Sequence, residues 1–261
     1  MRLRAVVLSF VAILVLASGA AAEQVGKALS IRTIVTGASG ELKRADPVSR
    51  DEQLKTNNTG LGQFQFLDGT KLVLGPNSSI VVDKYVLGSG NTVQKLAINT
   101  TKGAFRWISG KSPSSAYEIA TPVGTIGVRG TAVDLYVGDE VAMLVLLTGA
   151  VRWCLPNQQG DCVIVDRPCD FVIARGGAIS APERVSSAAA TQFGSDAFPF
   201  LGNNKRLLPS FRLSRVNCGL GGKTREGSNR DTIPGPQREP KGGSQPQQPS
   251  RGQTLSDGPL Q

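Results

Sequence analysis

No histidine occurs anywhere in the 261 residues. That absence removes the commonest general base and the commonest side-chain metal ligand, and with them every hydrolytic triad built on an imidazole. There is no S-x-x-K motif to supply an alternative serine nucleophile. C-x-x-C pairs are missing too, so the four cysteines lack the spacing of a structural zinc site. Aromatic residues make up only 5% of the chain. Beyond the first 22 residues no apolar run approaches the roughly 20 residues that a membrane-spanning helix needs. The most hydrophobic later stretch, 141–147, is the length of a buried strand. Paired carboxylates are the remaining acid/base apparatus, and Asp51-Glu52 and Asp139-Glu140 sit in turn-like, solvated contexts. No catalytic residue, no cofactor and no metal is expected.

What the chain does contain begins with a leader. Arg2 and Arg4 precede an unbroken apolar run, 5–17, and the small residues 18–22 close it, the tripartite pattern of a secretory signal peptide over residues 1–22 with cleavage before Glu23. The formal net charge of +9 is concentrated after Pro182. There the composition shifts twice. Residues 183–218 retain Phe193, Phe198, Phe200 and Phe211 and read as an extension packing on the domain, with a short helix at 185–192. Residues 219–261 have no aromatic side chain and are rich in Gly, Pro, Gln and Ser, so they cannot bury enough apolar surface to offset their ordering entropy and are expected to be disordered. The tail's Arg225, Arg230, Arg238, Lys241 and Arg251 are interleaved with Glu226, Asp231, Glu239 and Asp257. They form no clustered footprint for nucleic acid.

Between residues 28 and 182 short apolar/polar alternations are separated by Gly, Asn, Asp and Pro, the period and punctuation of strands. Residues 64–67 and 72–74 flank Asp68-Gly69, a pair that type I′ hairpin turns favour. Further strands are expected at 80–86, 93–98, 103–107, 117–120, 131–137, 141–147, 151–153, 162–165 and 171–174, with turns at Gly138-Asp139 and Thr148-Gly149. The expected fold is mainly β, a sheet-rich sandwich, roll or short β-solenoid with a disordered C-terminal tail. Gly124-x-x-Gly127-x-x-Gly130 has the wrong spacing for a dinucleotide loop and leads into an alternating strand, so it reads as a set of backbone turns. With Thr121, Pro122 and Arg129 these glycines form the candidate binding loop. Cys154 and Cys162 flank a turn-like segment and are placed to meet across a hairpin, leaving Cys169 for Cys218. On the chain-entropy account the second bridge contributes roughly 4 kcal/mol.

A family resemblance rests on four pieces in order. They are Phe64-x-Phe66-x-Asp68-Gly69-Thr70-x-Leu72-x-Leu74-x-Pro76-x-Ser78; Gly103-Ala104-Phe105-Arg106-Trp107; Ala120-Thr121-Pro122 with Arg129-Gly130-Thr131-Ala132-Val133; and Val145-x-x-x-Gly149-Ala150-Val151. From about residue 38 to 182 the chain resembles the FecR-domain family, periplasmic modules named for the ferric citrate regulator. The resemblance implies a β-rich extracytoplasmic interaction domain without known chemistry. Sigma-factor regulators of the family are similar in placing a helical segment and a transmembrane helix before this domain. Here the domain follows a signal peptide, as in the stand-alone exported members.

The leading expectation is a periplasmic or cell-surface, non-enzymatic binding and scaffolding module recognising an envelope protein or cell-wall component, with no nucleic-acid partner and no transmembrane span after leader cleavage. The alternatives are a sensory accessory in metal-siderophore signalling beside a TonB-dependent receptor, and a glycan hydrolase working with carboxylates alone.

Overall fold

The computed structural model describes residues 23–90, 92–156, 160, 162–185, 196–202, 204–213, 216 and 218. The leader at 1–22, the tail at 219–261 and all but the first residue of the segment read as helical (185–192) lie outside the described residues. Among the described residues sixteen strands join in one mixed sheet. In chain order they are β1 (Gln24–Arg32), β2 (Val35–Gly37), β3 (Gly40–Glu41), β4 (Pro47–Ser49), β5 (Gln53–Thr56), β6 (Leu61–Phe66), β7 (Lys71–Leu74), β8 (Ser79–Leu87), β9 (Val93–Ile108), β10 (Tyr117–Thr121), β11 (Gly124–Val137), β12 (Val141–Cys154), β13 (Cys162–Val165), β14 (Asp170–Arg175), β15 (Ala178–Ile179) and β16 (Glu183–Arg184). The main path runs β15-β14-β12-β11-β10-β9-β7-β6-β1-β4. β10 lies parallel to β9, while β11 and β12 form a long antiparallel hairpin.

The domain is mainly β, and its sheet folds around one main core, with two smaller apolar clusters on its outer face. Inward positions along β6 to β14, among them Phe64, Phe66, Leu72, Leu74, Phe105, Trp107, Ile126, Val133, Leu144, Trp153 and Val172, meet in that core. The period of two puts each on the same face of its strand.

Three local readings are corrected. Residues 93–98 and 103–107 belong to one strand, because Gly103 lets β9 change partners without a break, from β8 and β10 to β7 and β11. Thr148-Gly149 is likewise a bulge inside β12. Gly149 has φ 78, and a Cβ there would lie 2.4 Å from the carbonyl oxygen of Gly130, so the two strands approach too closely for any side chain. The connection around Asp68-Gly69 is not type I′. Gly69 has φ 86 while Leu67 and Asp68 stay at negative φ, and the Gly69 N–H donates to the Phe66 carbonyl, which makes a three-residue loop closed by a glycine bulge.

The second half of β11 and the first half of β12 are buried on both faces, which explains the continuous apolar run at 141–147. Their inner side chains join the main core. Their outer face lies under the described part of residues 196–218, a strap made of one helical turn, Pro199–Gly202, and two 3-10 turns, Asn204–Arg206 and Pro209–Phe211. Below the strap, directly registered side chains form a row across six strands: Gln63, Val73, Arg106, Asp134, Val145 and Phe171. Arg106 holds the Asp134 carboxylate through both Nε (2.6 Å) and Nη2 (2.7 Å), and its Nη1 donates to Asn204 Oδ1 at 2.7 Å. Phe200 stacks on the guanidinium, Leu208 N–H donates to Gln63 Oε1 at 2.7 Å, and Phe198 packs edge-on against Phe171. Burial pushes the Asp134 carboxyl up, against the pull of the Arg106 charge. Disulfides join Cys154 to Cys162 across the β12–β13 hairpin and Cys169 to Cys218, which ties the strap to the loop before β14.

Candidate binding site on the outer sheet face

On the other part of the outer face the register brings together side chains far apart in the chain. Ile164 of β13 opposes Arg152 of β12, Arg152 opposes Gly127 of β11, and Gly127 opposes Glu118 of β10. Ile126, Val128, Ile119 and Trp153 alternate inward from the same strands, so this row must face outward. The result is a trough of about 580 Å³. Gly127 and Thr125 floor it, Glu118 and Lys95 with Ser114 and Ser115 form one wall, and Arg152, Cys154, Leu155 and Pro156 form the other. Lys95 Nζ donates to Glu118 Oε2, with both side chains about one third exposed. The floor exists because Gly127 lacks a side chain: a Cβ there would meet nothing nearer than the Arg152 carbonyl oxygen, at 3.8 Å.

The inner end of the trough is fixed by Tyr117, which packs edge-on against Trp107. Its hydroxyl donates to Asp68 Oδ2 at 2.7 Å. Asp68 is buried, and its carboxylate also accepts from Thr70 N–H (3.0 Å), Thr70 Oγ1 (2.9 Å) and Ser112 Oγ (3.0 Å). Ser112 in turn accepts from the Val93 N–H at 2.8 Å, so one carboxylate binds the β6–β7 turn, the segment before β10 and the start of β9. Burial pushes the Tyr117 phenol up, assisted by the Asp68 charge.

The candidate loop proves to be mostly strand. Thr121 ends β10, Pro122 and Val123 make a two-residue turn, and Gly124, Gly127, Arg129 and Gly130 all belong to β11. Glycines read as turn signals serve close approach instead: a Cβ on Gly124 would lie 2.5 Å from the Cys154 carbonyl oxygen. Thr121 Oγ1 donates to the Gly124 carbonyl at 2.8 Å and closes the turn. Of the six residues only Gly127 lines the trough. Arg129 and Gly130 are exposed at the bulge beyond it, where the Arg129 N–H donates to Thr131 Oγ1 at 2.8 Å. Lys95, Glu118 and Arg152 were not singled out from the sequence. The available signal was the pairing of β10 with β11 on either side of Thr121-Pro122, which puts Glu118 opposite Gly127. Asp68 was read only as a turn residue, although its place in a run of alternating apolar residues marks a side chain pulled inward.

Among the described residues no three His, Cys, Asp or Glu side chains are placed to hold a metal ion, and no helix is long and apolar enough to cross a membrane. Phe64, Phe66, Leu72 and Leu74 of the first motif point inward, Asp68 shapes its turn, and Ser78 Oγ accepts from the Ala104 N–H at 3.1 Å, so these positions have structural tasks. Residues 52–152 match the family described as FecR protein. Over those residues the chain is similar to a FecR domain. The Asp68 network lies within the matched span, and the trough lies within it except for Cys154, Leu155 and Pro156 on one wall. Two crystal structures of a candidate anti-sigma factor from Parabacteroides distasonis ATCC 8503 are similar at 15% identity, with TM-scores of 0.42 and 0.40. Each alignment covers 54% of this chain and 63% of that one, so the likeness stops short of two thirds of their length. No curated protein matches the chain in sequence.

Proposed function

We propose that this β domain is an exported, non-enzymatic binding module that recognises an envelope protein or cell-wall component through the Gly127 trough. The observation that carries the reading is the trough itself: a recess set in paired strands, polar on one wall, mixed on the other, and rigidly backed by Trp107, Tyr117 and Trp153. Sites held by a stiff sheet bind with little ordering cost. Export is supported by the leader-like residues 1–22 and by two disulfides, which persist in oxidising compartments. The similarity to a FecR domain supports, as a second reading, a sensory accessory in metal-siderophore signalling. Dependence of a siderophore response on the protein would select that reading.

Gly127→Trp tests the site. Because a side chain at 127 points into open space, the variant is expected to unfold within about 1 kcal/mol of the parent. It should reduce binding of envelope components at least tenfold in a quantitative capture assay. Unchanged capture by a folded Gly127→Trp protein would remove the trough from consideration.

A further inference from the structure

We propose that the strap over Arg106 is a releasable cover, and that the Cys169–Cys218 disulfide is its redox-sensitive lock. The face beneath the strap is built unlike the main core. It buries an ion pair, Arg106–Asp134, and a glutamine, Gln63, whose Nε2 has no partner among the described residues. Permanently buried faces are more stably filled by apolar side chains of similar volume, whereas Gln, Arg and Asp suit a face that is also met by water. The strap, conversely, turns Phe198, Phe200, Leu207 and Phe211 onto that face.

Its attachment is also unlike that of a strand. Among its described residues between 196 and 213 the strap has short helical turns and no strand. Its hydrogen bonds to the sheet include four that use a sheet side chain: Gln63 Oε1 to Leu208 N–H, Arg106 to Asn204 and to the Phe211 carbonyl, and Lys71 Nζ to the Ser210 carbonyl at 3.0 Å. Segments without a backbone ladder open at lower cost than the sheet they cover. The covalent link lies at the far end. Cys169 is held in the loop before β14 by its N–H donating to the Leu146 carbonyl at 2.7 Å, so that end of the bridge stays with the sheet when the other is freed.

A dithiol reductant would operate the lock. One donor thiolate attacks a sulfur of the Cys169–Cys218 bond as the strap end opens, forming a mixed disulfide and releasing the other cysteine as a thiolate that takes up a proton. The second donor thiol then attacks the donor's own sulfur in the mixed disulfide, closing the donor disulfide and expelling the bound cysteine as a thiolate that takes up the second proton. Two electrons and two protons end on Cys169 and Cys218, and the donor leaves as a disulfide. Release uncovers Gln63, Arg106 and Asp134 together with Val73, Val145 and Phe171.

Hydrogen exchange followed by mass spectrometry on the full chain tests this. Cys154→Ser/Cys162→Ser leaves the lock as the only disulfide. Oxidised, this variant should protect peptides spanning 196–213. Reduced, it should exchange there at least tenfold faster while β9, β11 and β12 keep their protection, and oxidised Cys169→Ser/Cys218→Ser protein should show the same pattern without reductant. Strap peptides that stay protected in both bridge-free states, or protection lost equally across β9, β11 and β12, would overturn the proposal.

Discussion

Asp134→Ala is expected to lower the unfolding free energy by about 3–5 kcal/mol, because it leaves the Arg106 guanidinium buried without its carboxylate. Arg106 is 1% exposed, and water cannot replace the two bonds it loses. The consequence should reach the strap, since the same guanidinium holds Asn204 and stacks on Phe200. Urea unfolding of the oxidised full chain measures the loss. Replacing both partners, Arg106→Met with Asp134→Leu, should recover most of it, as apolar pairs of similar volume often match or exceed a buried ion pair. A single variant as stable as the parent would show that the pair is not the anchor described above.

The second large effect is expected at Asp68. Asp68→Ala orphans the Thr70 N–H, the Ser112 hydroxyl and the Tyr117 hydroxyl at once, and at roughly 1–3 kcal/mol for each unsatisfied buried donor, less what relaxation recovers, the loss should be about 3–5 kcal/mol. Asp68→Asn, which keeps the acceptor oxygen, should lose less. Burial of the nearby Tyr85 also predicts a pH limit. Burial, then the charges of Asp68 and Glu23, push the Tyr85 phenol from 10.0 up to about 12. A raised phenol favours the neutral form in the folded state, so its contribution is complete below pH 10 and is lost as pH rises toward 12. Phenolate absorbance and unfolding free energy followed over that range should change together. If the Tyr85 phenol ionises at its ordinary value in the folded protein, the buried arrangement is wrong.

Much of the domain could be read from local pattern. Alternation predicted strands across β6 to β14 but none of β1 to β5, β15 or β16, and the unbroken apolar run at 141–147 marked a buried strand. Strand continuity was less legible. Gly103, Gly130 and Gly149 look like turn residues in isolation, yet each lets a long strand bend or approach its neighbour, and only the pairing partner distinguishes a bulge from a turn. The row from Gln63 to Phe171 was invisible for a related reason. Arg106 and Asp134 read as ordinary outward polar positions, and nothing local announces that Phe200 and Phe211, far along the chain, will cover them. The trough was half legible. Gly127 was singled out, but Lys95, Glu118 and Arg152 come from three strands whose register is a tertiary property.

Binding through the trough is the central claim, and site-specific photo-crosslinking from the full chain in intact envelopes tests it most directly. A probe replacing Thr125, on the trough floor, and one replacing Arg152, on its wall, should crosslink the same partner, and Gly127→Trp should abolish both adducts. A probe at Lys55, exposed on β5 outside the trough, should not reach that partner. Adducts formed equally from Lys55, or only from probes within residues 219–261, would contradict the account.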